Sequence, residues 1–218
     1  MRYYPVFLDI INKSCLVVGG GQVGTRKVLT LLDCGARVTV VSPEATPELQ
    51  SLADQNKITW KQGNYRTVDL DGMFLVIGAT DDEMLNRKIH FDAERQHKLC
   101  NIADRPEACN FILPSIINRG DLTIAVSTAG KSPALAKKLR KDLEKKFGSE
   151  YGELLRIMGT VRTKLLQQAH APEEHRPLFE SLINSDILEA IKQHDRLHIN
   201  RLLLQVFGDG YQLDDLEL

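Results

Sequence analysis

The sequence predicts an α/β fold: a doubly wound parallel sheet, followed by a small α+β segment and a C-terminal helical domain. Short apolar runs alternate with amphipathic helical segments from Ser14 to about Asn101, a pattern typical of consecutive βαβ units. A cluster of glycines between the first apolar run and the first helix is a second sign of this class. From Pro114 two strand-like runs follow each other with no helix between them, so the alternation ends there. The predicted domains are therefore residues 1–113, 114–148 and 149–218.

Length and composition indicate a globular protein. The 218 residues, 43% of them hydrophobic, are enough for one large domain or two small ones with a real core. A formal net charge of −1 gives no overall basic field and argues against nucleic acid as a partner. No apolar stretch approaches the ~20 residues that cross a bilayer, so we expect a cytoplasmic protein with no membrane partner. Cysteines without a CxxC pair predict reduced core thiols at Cys15, Cys34, Cys100 and Cys109.

The first strand, Leu16–Val18, leads into the glycine turn Gly19-x-Gly21-x-x-Gly24 and then into a helix that starts near Gln22. Gly19 lets the chain turn sharply, Gly21 lets backbone approach a pyrophosphate, and Gly24 lets the helix pack on the strand. The free N–H groups and the positive dipole end of the helix would hold the phosphates. The motif alone could be an ordinary strand-to-helix connection. With its strand and helix it predicts a Rossmann-type dinucleotide site.

Further strands and helices follow in alternation as Arg37–Val41, Thr46–Gln55, Lys57–Lys61, Met73–Gly78, Asp81–Gln96 and a strand from Lys98. The carboxyl ends of parallel strands meet at one edge of a sheet, so three loops should converge on the cofactor. These loops are the glycine turn, Ser42–Glu44 and Ala79–Asp82. They make Gly19, Gly24, Ser42, Thr80 and Asp81 candidate cofactor-binding residues. Asp81 or Asp82 could equally be only the N-cap of the next helix.

The residues after the second strand favour NAD over NADP. Dinucleotide folds that bind NAD often place an acidic residue about twenty positions after the glycines, on the ribose 2′-OH. Glu44 is the nearest carboxylate, although it follows a proline and could face water. No Lys or Arg closely follows Val41, which removes the usual partner of the NADP phosphate.

After Pro114, Ser115–Val126 is predicted to form two strands joined at Arg119–Asp121. A small polar loop follows, in which Ser132 is a suitable N-cap and Pro133 a suitable first helical residue. The helix Ala134–Phe147 carries an excess of Lys and Arg. Such a charge run is commonly a solvated face, but next to a loop of free N–H groups it would also suit ligand carboxylates.

The remaining chain, Tyr151–Leu218, has a helical pattern with breaks at Ala171-Pro172 and Asn184–Asp186 and a stop at Gly208–Gly210. His194 and His198 are spaced i, i+4 and could share a metal ion. No third ligand is recognisable, so exposed helix histidines are the preferred interpretation and we predict no metal site.

Asp104 is the candidate catalytic residue. It follows the last parallel strand, whose carboxyl end should face the nicotinamide region of the crevice. A carboxylate there can accept a proton while a hydride leaves for NAD⁺. Asp104 could instead only cap the turn before Pro106.

Six separated motifs together resemble the precorrin-2 dehydrogenase and sirohydrochlorin ferrochelatase family, the N-terminal module of siroheme synthases. They cover nearly all of the first ~150 residues in matching order, which is far more specific than the glycine motif. The C-terminal helices match only in general character. The motifs are Tyr4–Leu8; Val18–Val23 with Arg26-Lys27; Ala79–Asp82 with Asn86; Cys100-Asn101 with Asp104; Phe111–Ile116; and Ala125–Pro133 with Leu135-Ala136.

The resemblance implies oxidation of precorrin-2 to sirohydrochlorin with NAD⁺ and, in many members, insertion of Fe²⁺. It implies a homodimer in which residues 114–148 build much of the interface and the substrate cleft. The family's essential aspartate falls on Asp104, and its cofactor residues fall on Gly21, Gln22, Val23, Pro43 and Glu44. The substrate carries many carboxylates, which gives the basic loop and helix a purpose. We expect substrate contacts from Asn101, Arg105, Ser127, Thr128, Gly130, Lys131 and Ser132.

Two other functions compete with this interpretation. A redox-sensing module would bind NAD(H) without catalysis, but it needs neither a base at Asp104 nor a polyanion site. An NAD-dependent enzyme acting on another small acid is opposed mainly by the six-motif resemblance.

Overall fold

The computed structural model describes residues 3–103, 105–167 and 172–216, the side chains of residues 172–174 excepted. Asp104, the predicted catalytic residue, and Ala171 of the predicted helix break at Ala171-Pro172 lie outside the described residues. The chain divides into two units, Met1–Leu113 and Pro114–Leu218, and each is described by itself.

The first unit contains a five-stranded parallel sheet with the strand order β3-β2-β1-β4-β5. This is the Rossmann arrangement, in which the strand order reverses beside β1, and it confirms the predicted doubly wound sheet. The elements are β1 (Ser14–Val18), α1 (Gln22–Asp33), β2 (Arg37–Ser42), α2 (Pro47–Asp54), β3 (Ile58–Gln62), β4 (Leu75–Gly78), α3 (Glu83–Arg95) and β5 (Leu99–Ile102).

The central strand β1 is buried on both faces. Val17 packs in one apolar cluster with residues of α1 and α2, and Leu16 packs in a second cluster with residues of α3. A strand covered on both faces reads as a continuous apolar run, which explains its sequence. Val18 pairs with Val41 on one side and with Gly78 on the other. The loops after β1, β2 and β4 therefore begin at the same edge of the sheet.

The second unit begins with an antiparallel hairpin, β6 (Ser115–Arg119) and β7 (Leu122–Val126), which confirms the predicted pair of strands. Ile117 is buried on one face of the hairpin, and Gly120 has φ +63° in the turn. Five helices follow: α4 (Pro133–Lys146), α5 (Glu150–Gln167), α6 (Pro172–Ile183), α7 (Ile187–Lys192) and α8 (Arg196–Phe207). Helices α5 to α8 share an apolar core that includes Ile157, Leu182 and Leu203.

Three features differ from the sequence prediction. Short 3-10 helices occur at Thr67–Leu70 and Pro106–Ala108, where none was predicted. All four cysteines are free, but Cys34 is exposed because it follows the last residue of α1, so its assignment to the core was wrong. His194 lies in a turn with φ +55° rather than on a helix.

Within the described residues, no helix is both long and apolar enough to span a membrane. The same residues contain no cluster of three or more His, Cys, Asp or Glu side chains suited to a metal ion.

Candidate functional site

The glycine turn after β1 has a backbone that larger residues would prevent. Gly19 has φ +114°, and a Cβ atom there would lie 2.3 Å from the carbonyl oxygen of Ala79. A Cβ atom on Gly24 would lie 2.1 Å from the carbonyl oxygen of Gly19. Both glycines are therefore required by the close packing of β1, α1 and the loop after β4.

Gly21 differs from these two glycines because it faces open space. It is the N-cap of α1, and a Cβ atom built on it would meet no heavy atom within 4 Å. No side chain caps α1 at this position, and the first turn contains no acidic residue. An α-helix leaves its first N–H groups without partners inside the helix, so this end of α1 can bind an anion.

A chain of hydrogen bonds fastens the loop after β2 to the glycine turn. The Thr25 hydroxyl donates to the carbonyl oxygen of Gly21 (3.0 Å) and lies 2.8 Å from the Thr46 hydroxyl. Because a carbonyl oxygen can only accept, the Thr25 hydroxyl must donate to Gly21. The Thr46 hydroxyl is therefore the donor in its hydrogen bond with Thr25. Thr46 Oγ1 in turn accepts from the N–H of Leu49, and the Thr46 N–H donates to the carbonyl oxygen of Gly20.

Gly20 is a packing requirement that the motif did not identify. A Cβ atom there would lie 2.2 Å from the carbonyl oxygen of Glu44 and 2.5 Å from Ser42 Oγ. The Ser42 hydroxyl is buried and accepts from Trp60 Nε1 at 3.2 Å, while the Glu44 side chain is exposed. The only signal in the sequence was the uninterrupted run of three glycines.

The loop after β4 forms the opposite side of this edge. Asp82 Oδ1 accepts from the N–H of Leu85 at 3.0 Å, so Asp82 is the N-cap of α3. Thr80 Oγ1 accepts from the Asp82 N–H at 2.9 Å, and the carbonyl oxygen of Thr80 accepts from Asn86 Nδ2 at 2.8 Å. The Asp81 side chain is exposed. Of the two aspartates, Asp82 has the capping role that the sequence left open for either.

A cavity of about 270 Å³ lies at this edge of the sheet. No Lys or Arg is among the described residues that line it, so it suits a neutral ribose better than an added phosphate. Gln22, Val23 and Glu44 are not part of its wall. The lining residues are Val18, Gly19, Val41, Ser42, Pro43, Gly63, Asn64, Tyr65, Thr80, Asp81, Asp82 and Leu85.

The segment after β3 supplies part of the wall and was not predicted. Gly63, Asn64 and Tyr65 line the cavity. The Tyr65 hydroxyl donates to Asp92 Oδ2 at 3.1 Å, and Lys88 Nζ lies 5.6 Å from the ring centroid. Burial and the Asp92 carboxylate raise the Tyr65 pKa, so this hydroxyl stays protonated. The end of a third parallel strand at the same edge was the available signal.

The residues at this edge fit a dinucleotide. The open face of Gly21 leaves room for phosphate at the uncapped end of α1, and the adjoining cavity can take a nucleoside. Gly21, Gln22 and Val23 would hold the phosphates, and the walls from Pro43, Tyr65 and Thr80 would contact the nucleoside.

The turn after β5 is built around two polar side chains. Asn101 is buried, and its Nδ2 donates to the carbonyl oxygen of Phe111 at 3.0 Å. Cys109 Sγ accepts from the Ile102 N–H at 3.2 Å and donates toward the carbonyl oxygens of Ile102 and Arg105. Arg105 itself forms an ion pair of 3.0 Å with Glu83 on α3. The structure thus places Asn101 in an internal role and Arg105 at the surface, and a substrate contact by either stays a prediction.

In the second unit, the predicted loop residues form the cap of α4. Ser132 Oγ accepts from the Leu135 N–H, and Thr128 Oγ1 both accepts from the Ser132 N–H and donates to the Ser132 carbonyl oxygen. Ser127 Oγ accepts from the Ala129 N–H, and Gly130 has φ +80°. The Lys131 side chain is exposed. The five predicted residues are therefore brought together on one ordered loop.

The acidic residues of α4 are already paired within the helix. Lys138 contacts Asp142 at 3.0 Å, and Arg140 forms an ion pair with Glu144. The Lys138 ammonium lowers the Asp142 pKa. These two pairings leave α4 with a net positive charge, carried by Lys137, Lys141, Lys145 and Lys146.

Two family models match the chain. Residues 6–115 match the family described as "Putative NAD(P)-binding", and residues 119–146 match the family described as sirohaem biosynthesis protein central. The first match covers half of the chain and corresponds to the unit that carries the glycine turn.

Curated relatives and a solved structure extend these matches. The siroheme synthase of Nitrosococcus oceani is 40% identical over 191 residues, 88% of this chain and 41% of that protein. Siroheme synthase 3 of Aeromonas hydrophila is 37% identical over 213 residues, 97% of this chain and 46% of that protein. The chain therefore spans less than half the length of these relatives. The structure of SirC, a precorrin-2 dehydrogenase, matches with a TM-score of 0.79 and 26% identity over 94% of this chain and 98% of that one.

Proposed function

Because the chain belongs to the NAD(P)-binding family of sirohaem biosynthesis proteins, we propose that it oxidises precorrin-2 to sirohydrochlorin with NAD⁺ as hydride acceptor. The observation that carries the proposal is the likeness to SirC, which extends over both units and nearly the full length of each chain. The open glycine turn supports it independently, since it provides the dinucleotide site that the reaction needs.

The reaction removes one hydride and one proton from the macrocycle and creates one double bond. Bound NAD⁺ supplies the two-electron acceptor. The chain's residues must then bind the substrate, hold it beside the nicotinamide and accept the proton. We assign proton acceptance to Asp104, because a carboxylate after a parallel strand of the sheet can act as a general base.

The substrate is a polycarboxylate and needs cationic or N–H partners. We propose that Lys131 and the ordered loop of Ser127, Thr128, Gly130 and Ser132 bind its carboxylates, aided by the positive end of α4. Asn101 and Arg105 complete the proposed set. For Arg105 this requires exchange of its exposed ion pair with Glu83, which costs little because such pairs are weak.

Three further properties belong to the proposal. The protein forms a homodimer through residues 114–148, which act as the middle of three domains between residues 1–113 and 149–218. It inserts Fe²⁺, as a substrate, into sirohydrochlorin, with Asp104 accepting pyrrole protons. It is cytoplasmic.

The test of the proposal is an anaerobic assay with purified protein, precorrin-2 and NAD⁺. We expect the visible spectrum to shift as conjugation extends, with one NADH formed per substrate oxidised. Binding of NAD⁺ without turnover would instead favour the redox-sensing module. Iron insertion needs its own assay with sirohydrochlorin and Fe²⁺, and a rate no faster than that without protein would remove that activity alone.

A further inference from the structure

Asn86 places an amide inside the nucleotide unit, and half of that amide has no partner in the described part of the chain. The side chain is 8% exposed, and Nδ2 donates to the carbonyl oxygen of Thr80 at 2.8 Å. Asn86 Oδ1 is buried and has no hydrogen-bond partner among the described residues. A buried, unpaired carbonyl oxygen destabilises the folded state, so an apolar side chain of similar size would cost less here. The amide therefore needs a reason other than stability.

The donor half of the amide acts on the wall of the cavity. Thr80 lines the 270 Å³ cavity, and its carbonyl oxygen is the atom that Asn86 holds. The peptide unit on the other side of the Thr80 Cα packs on the glycine turn, because a Cβ atom on Gly19 would lie 2.3 Å from the Ala79 oxygen and 3.1 Å from the Thr80 nitrogen. Thr80 joins the two peptide units, so a shift of Thr80 would disturb both the cavity wall and the packing on the turn.

Gly78 makes room for the amide and fixes its orientation. A Cβ atom on Gly78 would lie 3.1 Å from Asn86 Oδ1 and 2.6 Å from Ile102 Cδ1, so only glycine leaves space for this packing. Rotating the amide by half a turn would bring its oxygen against the Thr80 carbonyl oxygen, and two acceptors repel. The Asn86 amide can therefore bind the Thr80 carbonyl oxygen only through its Nδ2 group.

We propose that Asn86 is a positioning residue for the dinucleotide: through the Thr80 carbonyl it fixes the cavity wall in the shape that accepts NAD. The proposal rests on the NAD-binding part of the proposed function and is independent of the substrate. It predicts that cofactor affinity depends on a donor at position 86, beyond any effect on stability.

The experiment measures the Kd of NAD⁺ by calorimetry for the wild-type protein and two variants at about pH 5.5 and about pH 8. Asn86→Leu keeps the volume and removes the donor, and we expect binding about ten-fold weaker at both pH values. Asn86→Asp can donate to Thr80 only when its carboxyl is protonated. Burial raises the pKa of such a carboxyl, so binding should approach wild type at the lower pH and weaken at the higher one.

Ile89→Val is the matched control, because Ile89 is buried on the same helix and its shortening leaves the hydrogen bond intact. We expect its Kd within about two-fold of wild type despite some loss of stability. Equal Kd values for Asn86→Leu and wild type would overturn the inference, as would an Asn86→Asp to wild-type ratio that does not change with pH. A wild-type protein that binds no NAD⁺ would overturn the proposed function as well.

Discussion

The hydroxyl groups of Thr25 and Thr46 lie 2.8 Å apart and join the first turn of α1 to the N-cap of α2. The hydrogen bonds all point in one direction. The Leu49 N–H donates to Thr46, the Thr46 hydroxyl donates to Thr25, and the Thr25 hydroxyl donates to the carbonyl oxygen of Gly21. Thr25 is 3% exposed, so each member of this chain depends on the next for its hydrogen bond. Two loops of the dinucleotide site are therefore held as one structure.

Thr25→Val should destabilise the fold and weaken NAD⁺ binding together. The substitution keeps the shape of the side chain but removes the acceptor of the Thr46 proton and leaves the Gly21 carbonyl oxygen with only the Thr25 N–H as its donor. We expect a loss of about 1–3 kcal/mol in the free energy of unfolding, measured by urea denaturation. Thr30→Val is the control, because the exposed Thr30 hydroxyl donates to the carbonyl oxygen of Arg26 within the same helix.

The coupling of the two threonines can be measured by a double-mutant cycle. Thr46→Val alone also removes the cap of α2, so its single effect exceeds that of one hydrogen bond. We expect a coupling energy of about 0.5–3 kcal/mol between Thr25→Val and Thr46→Val. Additive effects would show that the 2.8 Å contact contributes nothing to stability.

Substitutions at the glycines of the turn should separate folding from cofactor binding. Gly24→Ala places a methyl group 2.1 Å from the Gly19 carbonyl oxygen, so we expect a markedly lower Tm. Gly21→Ala meets open space, so its Tm should change little while its Kd for NAD⁺ rises about ten-fold. Similar losses of Tm for both variants would contradict the assignment of Gly21 to the ligand.

Some features of the fold and of the site could be predicted from the sequence, and others could not. Local patterns were sufficient for β1, the glycine turn and the hairpin at Ser115–Val126, because each depends on neighbours in the chain. The role of Gly20 depends on Ser42 and Glu44, and the position of Tyr65 depends on Asp92, which are 22 to 27 positions away in the chain. The Asn86 amide bonds Thr80 only six positions away, but its burial depends on tertiary packing. Cys34 was wrongly predicted to be a core residue. A residue at the end of a helix can face either solvent or the core, and tertiary packing decides which, not the sequence pattern.

The buried cysteines should titrate and react far above neutral pH. Burial raises the pKa of Cys15 to about 11 and that of Cys100 to about 12. Because the folded-state values exceed the value of an unfolded thiol, both cysteines favour the folded state at neutral pH. That contribution is lost as the pH rises from the unfolded value through the folded ones. We expect the free energy of unfolding to fall with pH above about 9, measured by urea denaturation.

Thiol labelling at neutral pH tests the same environments. In native protein a disulfide reagent should modify Cys34 quickly, because it is exposed, and should leave Cys15 and Cys100 unmodified until unfolding. Cys34→Ser should remove the fast phase and leave the remaining reaction unchanged. Rapid modification of Cys100 in that variant would contradict its burial.

Asp104→Asn should abolish most of the oxidation of precorrin-2 without changing cofactor affinity. The amide keeps the size of the side chain but cannot accept the proton that leaves with the hydride. We expect kcat to fall by a factor of about 10²–10⁴, with the Kd of NAD⁺ unchanged. Glu107→Gln is the matched control, because it removes an exposed carboxylate from the 3-10 helix of the same turn. Both substitutions remove one negative charge, so an effect of charge alone would lower kcat equally in both variants. Glu107 is not the proposed proton acceptor, so the kcat of Glu107→Gln should stay close to wild type. Full activity of Asp104→Asn would show that Asp104 does not accept the proton. The alternative role, capping of the turn before Pro106, would then be the one that remains.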